Sequence, residues 1–176
     1  MRWLLALLAS ATTTAAARAE VAEQWDTGFT TRNVVEVSAR ADRVYAALGE
    51  VGRWWGNDHT YSGSASNMTL ELKPGGCFCE ALPGGGVQHG AVVLAWPAQG
   101  MVRIDAALGP LQEMGVSGAL TFTIKPKGTG VVEVVQTYTV GGGRAGLPKM
   151  VSAVVDQVVG EQLRRFEKYV ETGRPQ

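Results

Sequence analysis

The apolar positions of this chain change their period twice. From Thr31 to Ser38 they form a β-branched run, TRNVVEVS, which predicts a strand. Between Ala41 and Leu48 the spacing becomes helical, with Val44, Ala47 and Leu48 on one face. Asp42 suits the positive end of that helix, and Gly49 and Gly52 weaken its continuation. Trp54-Trp55-Gly56 closes the segment as a second short helical turn. From Asn67 onward the alternation is that of strands. Met68, Leu70 and Leu72 face one way, against Thr69, Glu71 and Lys73. Further strands are predicted over 77–82, 87–96, 101–108, 118–125 and 131–140, separated by Pro/Gly turns such as Pro83-Gly84-Gly85-Gly86. Short strands with short turns imply an antiparallel meander.

After Gly141-Gly142-Gly143 the period returns to that of a helix and stays there. Leu147, Met150, Val151, Val154, Val155, Val158, Val159, Leu163, Phe166 and Val170 form one stripe, and Gly173 is its natural stop. One strand, a short helical stretch, six strands and a long C-terminal helix predict an α+β helix-grip fold, a curved antiparallel sheet wrapped around the helix. Residues 20–29 show no period and read as a lead-in.

The start of the chain has a different character. Arg2 precedes an apolar run, Trp3 to Ala9, and a small-residue stretch ends at Ala17-Arg18-Ala19. That is the layout of a secretory signal peptide, too short to span a bilayer. Residues 1–19 are therefore expected to be a signal peptide and 20–176 a single domain, periplasmic or secreted. Without Arg2 and Arg18 the 16 basic residues become 14 against 16 acidic ones. That near-neutral balance, with no basic cluster, argues against a nucleic-acid partner. No second apolar run is long enough for a membrane span in the mature chain. A monomer or weak homodimer is expected.

The segments VEVSARADRVYAALGEVGRWW (35–55), TYSG (60–63), LELKPGG (70–76), LGPLQ (108–112), TYTVGG (137–142) and VDQVVGEQLRRF (155–166) resemble the START-like, polyketide-cyclase/dehydrase superfamily, SRPBCC. The resemblance is nearest to the bacterial branch related to the activator of the heat-shock-protein ATPase. It implies a cavity between sheet and C-terminal helix that binds a small hydrophobic or amphipathic molecule. The superfamily also hosts cyclases and co-chaperones, so fold does not settle activity. A chain outside the cytoplasm does not meet a cytosolic chaperone, which places ligand binding ahead of the co-chaperone role.

Candidate ligand-binding residues follow from that cavity. Trp54 and Trp55 end the helical stretch and are placed to stack on a ligand at its mouth, with Tyr61 nearby. His89 lies in a strand whose two faces are equally plausible as the inner one. Facing inward, it is an acid, base or hydrogen-bond partner. Arg103 alternates with Val102 and Ile104, which favours the outer face; with the phase reversed it is a carboxylate anchor. Gln136 and Tyr138 share a face with Val132 and Val134 and need polar partners there. Met150 and Val154 belong to the helical stripe. His59 and Glu113 read as surface residues.

No catalytic constellation is legible: there is no nucleophile elbow and no phosphate loop. No cofactor or metal is expected. Cys77, Cys79, His59 and His89 are zinc-ligand types, but Cys-x-Cys is not a zinc-knuckle spacing. Residues i and i+2 of a regular strand lie about 6.6 Å apart, near the limit for a disulfide. Free thiols are therefore preferred for Cys77 and Cys79, with a bridge as the alternative that a bulge or turn would permit.

Overall fold

A computed structural model describes residues 20–176; the predicted signal peptide lies outside the described residues. Eight strands form one antiparallel sheet: β1 (Glu20–Trp25), β2 (Gly28–Val37), β3 (Met68–Leu70), β4 (Cys77–Leu82), β5 (Gly85–Trp96), β6 (Met101–Ala106), β7 (Ser117–Gly128) and β8 (Val131–Gly141). Their spatial order is β1-β2-β8-β7-β6-β5-β4-β3. Helices α1 (Ala41–Leu48) and α2 (Val51–Trp54) connect β2 to the far edge, and α3 (Leu147–Thr172) lies in the grip of the sheet. Every central strand is joined to its neighbour by an antiparallel ladder, and β2 pairs with β8 across most of the sequence, Phe29 opposite Val140 and Val37 opposite Val132.

The lead-in is in fact a strand. β1 pairs with β2 through a tight turn at Asp26-Thr27. It has no readable period because it is a mostly exposed edge strand with a register shift between Val21 and Glu23, so no alternate set of side chains is buried. Its Trp25 ring lies across Gly28, where a Cβ would come within 2.2 Å of the ring. The Asp26 carbonyl accepts the Gly146 N–H at 3.0 Å, tying this hairpin to the start of α3.

The inner face of the sheet is apolar where alternation predicted it. Val35, Val37, Val102, Ile104, Leu120, Phe122, Val132 and Val134 are buried against Val44, Ala47 and Leu48 of α1 and Val159, Leu163 and Phe166 of α3. Trp54 lies edge-on to Phe166 at 5.2 Å, and its indole N–H donates to the Ala47 carbonyl at 3.0 Å. Trp54 is thus a core residue, not part of a ligand mouth.

The long helix departs from the sequence reading in its first half. Leu163 and Phe166 are buried as expected, and so is Tyr169, which the predicted stripe did not include, but Met150 and Val154 are 68% and 62% exposed. Between Val151 and Val158, Ser152 and Asp156 are the buried positions, and Asn33 of β2 donates to the Asp156 carboxylate at 3.1 Å. One side of this half-helix therefore meets the sheet through polar groups, while its valines look elsewhere.

Cys77 and Cys79 are joined as a disulfide, with Cα atoms 5.4 Å apart, against the free-thiol preference. That span is shorter than the about 6.6 Å of a regular strand and falls within the range a disulfide bridges. Both cysteines point away from the buried Phe78 and Glu80, on the outer face of β4.

Candidate functional site

The valines of the first half of α3 look into a cavity of about 620 Å³, within the range typical of ligand pockets. Val151, Val154, Val155 and Val158 form one wall. The facing walls are two short connections rather than the sheet. One is the 3-10 turn Asn57–His59 with Thr60 and Tyr61; the other is the 3-10 segment Gly109–Met114 with Leu108. Trp55 lies between them, and His89 is the one strand residue in the lining. The cavity therefore sits at one end of the grip. Under much of the rest of the sheet lies the cluster of buried apolar side chains.

His89 reaches the cavity through an irregularity that alternation does not encode. Phe78 pairs with Gly90 and Cys79 with Gln88, which leaves His89 as the extra residue of a β-bulge. Both His89 and Gly90 are consequently buried, although they are adjacent. A second bulge, at Val93, shifts the phase again, so neither of the two alternating sets predicted for this strand faces inward throughout. Gly90 is required where it stands, because a Cβ would lie 2.6 Å from the Asp105 carbonyl.

Glu80 gives this end of the cavity its electrostatic character. The side chain is buried on the inner face of β4, and Oε2 lies 3.0 Å from His89 Nε2. The Tyr61 N–H donates to the same oxygen at 3.1 Å, and the Ser62 N–H donates to Oε1. Burial alone would raise the Glu80 pKa; the bonds from Ser62, Tyr61 and His89 outweigh it and hold the carboxyl below its ordinary range. One carboxylate thus fixes the histidine and pins the loop that carries Tyr61. The His89 ring is further bracketed by Phe78 at 5.2 Å and Tyr61 at 6.0 Å.

The opposite rim is anchored by Tyr138. Its hydroxyl donates to the Ala106 carbonyl at 3.0 Å and accepts the Leu108 N–H at 3.1 Å. Burial pushes this hydroxyl up to about 12, so it stays protonated and neutral. Gln112 Nε2 donates to the Gln88 carbonyl at 2.9 Å and ties the same segment to β5. On the other side, the Trp55 indole N–H donates to the His59 carbonyl at 2.9 Å.

Of the residues singled out in the sequence, the structure brings Trp55, Tyr61, His89, Met150 and Val154 together around the cavity. Trp54, Gln136 and Tyr138 are buried outside its lining. Gln136 sits opposite Asn33 beneath the sheet, and Tyr138 acts at one remove through Leu108. Arg103 is exposed on the outer face, where its Nε donates to Thr121 Oγ1 at 3.1 Å; Val102 and Ile104 take the inner positions, as hydrophobic burial favours. Glu113 is exposed and outside the lining.

Sequence reasoning missed His59, Leu108, Leu111 and Met114, all of which line the cavity, and it missed Glu80. For Glu80 a signal was present: it shares an alternating face with Phe78, and a carboxylate on an apolar strand face calls for a partner. Among the described residues no cluster of three or more His, Cys, Asp or Glu side chains is placed to hold a metal ion. No described helix is long and apolar enough to cross a membrane.

No family model and no curated protein matches the chain. Its shape, in contrast, is shared with many solved structures. A conserved protein of unknown function from Enterococcus faecalis aligns with a TM-score of 0.60 at 12% identity, over 86% of this chain and 76% of its own. Truncated norcoclaurine synthase from Thalictrum flavum gives 0.53 at 15% identity, over 84% and 97%. The Zhui aromatase/cyclase from Streptomyces sp. R1128 gives 0.50 at 15% identity, over 83% and 98%. Identities this low speak to fold rather than activity. On the sheet order, the gripped C-terminal helix and these likenesses, this chain has a helix-grip fold, the shape it shares with these solved structures.

Proposed function

We propose that the mature chain is a periplasmic or secreted binding protein that holds a small hydrophobic or amphipathic molecule in the cavity beside α3. The observation that carries this reading is the row of valines on the first half of α3. Val154 is exposed and Val151, Val155 and Val158 are only half-buried, which leaves apolar surface on this helix face open to a ligand. Supporting the compartment are the signal-peptide layout of residues 1–19 and the Cys77–Cys79 disulfide, a bond that persists in oxidising surroundings. The test is native mass spectrometry of the protein purified from the periplasm after expression of the full chain. The expected result is a mass that begins at Glu20, carrying an extractable apolar molecule. Cytoplasmic retention of the uncleaved chain would overturn the compartment; a protein that takes up no apolar ligand would overturn the carrier role.

A second reading rests on the Glu80–His89 pair. An imidazole oriented by a buried carboxylate in an apolar cavity is equipped to move a proton, as an enzyme of the cyclase, dehydrase or hydrolase kind requires. Turnover that disappears in His89→Ala, in a variant that still folds, would establish it over simple carriage.

A further inference from the structure

The Glu80–His89 pair dictates more than the presence of a polar spot; it dictates which kind of polar spot. Glu80 is surrounded by donors. Oε1 accepts from the Ser62 N–H, and Oε2 accepts from the Tyr61 N–H while facing His89 Nε2 at 3.0 Å. Backbone N–H groups cannot accept, so neither oxygen can carry a proton toward them. With one backbone donor on each oxygen, the ionised carboxylate is the form these surroundings favour. The lowered Glu80 pKa agrees with that geometry. An ionised carboxylate only accepts, so the hydrogen shared with the ring must sit on Nε2. In a neutral imidazole that leaves Nδ1 without a hydrogen.

We infer that His89 offers Nδ1 to the cavity as a hydrogen-bond acceptor, and that the preferred ligand is an amphipathic molecule with a hydroxyl group at its buried end. The inference rests on the cavity being a ligand site and adds the chemistry of its polar end. The ring lies in the lining, 5% exposed, between Phe78 and Tyr61, so a ligand hydroxyl there meets an acceptor in apolar surroundings. A ligand presenting only an acceptor, such as an ether or ketone, would face the lone pair of Nδ1 with no hydrogen between them.

Two measurements test this on the mature chain at neutral pH. The chain has two histidines, so ¹⁵N-histidine labelling of a His59→Gln variant leaves one ring to read. The expected spectrum is that of the neutral ring protonated on Nε2; a ring protonated on Nδ1, or on both nitrogens, overturns the inference. The second measurement compares binding of 4-nonylphenol with that of its methyl ether, 4-nonylanisole. The phenol should bind about five- to tenfold tighter, the size of one net hydrogen bond. That advantage should vanish in His89→Phe, whose affinities for phenol and ether should become equal. Equal binding of both probes, or tighter binding of the ether, overturns the hydroxyl preference and leaves the cavity reading standing. Binding of neither probe overturns the cavity reading and this inference with it. If His89→Phe does not fold, the ring spectrum and the probe pair on the unsubstituted ring still decide.

Discussion

The two halves of α3 carry the same apolar period and do different things with it. In the second half, Leu163, Phe166 and Tyr169 are buried against α1 and α2. Polar groups reinforce that end: Gln162 Oε1 accepts the Gly56 N–H at 2.7 Å, and Arg165 Nε donates to the Trp54 carbonyl at 3.0 Å. Arg43 and Arg53 lie over the Tyr169 ring, and the Tyr169 hydroxyl bonds Glu50. In the first half, the valines face two short 3-10 connections that are too small to fill the space. The lesson is that an apolar stripe becomes core only where a second element supplies side chains to meet it. Where none does, the same stripe lines a cavity.

That contrast can be broken or sharpened by substitution. Phe166→Ala should be the most damaging change, costing about 3–5 kcal/mol in urea unfolding because it empties a fully packed site. A cost no larger than that of a surface substitution would show the second half to be loosely packed after all.

Glu80→Ala removes a buried acceptor from the Tyr61 and Ser62 N–H groups and from His89, and should cost about 2–4 kcal/mol. Because the folded pKa of Glu80 is lowered, the contribution of its carboxylate is fully present above the ordinary carboxylate range and is lost as pH falls through the folded value. The stability gap between the natural chain and the variant should therefore narrow in acid. A gap that is the same at every pH would mean that Glu80 is not ionised in the fold.

Val155→Asp tests the other half of the helix. Val155 is half-buried in the cavity wall, so stability should fall by only about 1 kcal/mol, while affinity for an apolar probe drops more than tenfold. If probe binding survives, the ligand sits elsewhere. Tyr138→Phe should cost about 1–2 kcal/mol of stability, by leaving the Leu108 N–H and the Ala106 carbonyl without their partner. Hydrogen exchange at Leu108 and through Gly109–Met114 should quicken; unchanged exchange would show that Tyr138 does not anchor this rim.

Much of this architecture is readable from spacing. Strands with one buried face announce themselves by alternation, as Val102, Ile104 and Ala106 do against Arg103 and Asp105. The same rule misses β1, an edge strand with no buried face, and the two places on β5 where a bulge resets the phase. His89 falls at one of those bulges, so its inward position could not be read from its neighbours. Trp54 and Trp55 are adjacent and equally apolar, yet Trp54 fills the core and Trp55 lines the cavity. Adjacent residues of a helical turn point in different directions, and composition cannot say which direction is occupied.

The sequence by itself determined the order of elements, the antiparallel sheet and the long closing helix, because periodicity is a local property set by which face of each element meets water. Tertiary structure alone decided where the space would be left. The cavity exists because two connections at one end of the grip are short and thin, and its polar end exists because a bulge turns His89 toward a carboxylate nine residues away in sequence. Both depend on how separate segments meet in three dimensions, and no period within a single segment records that.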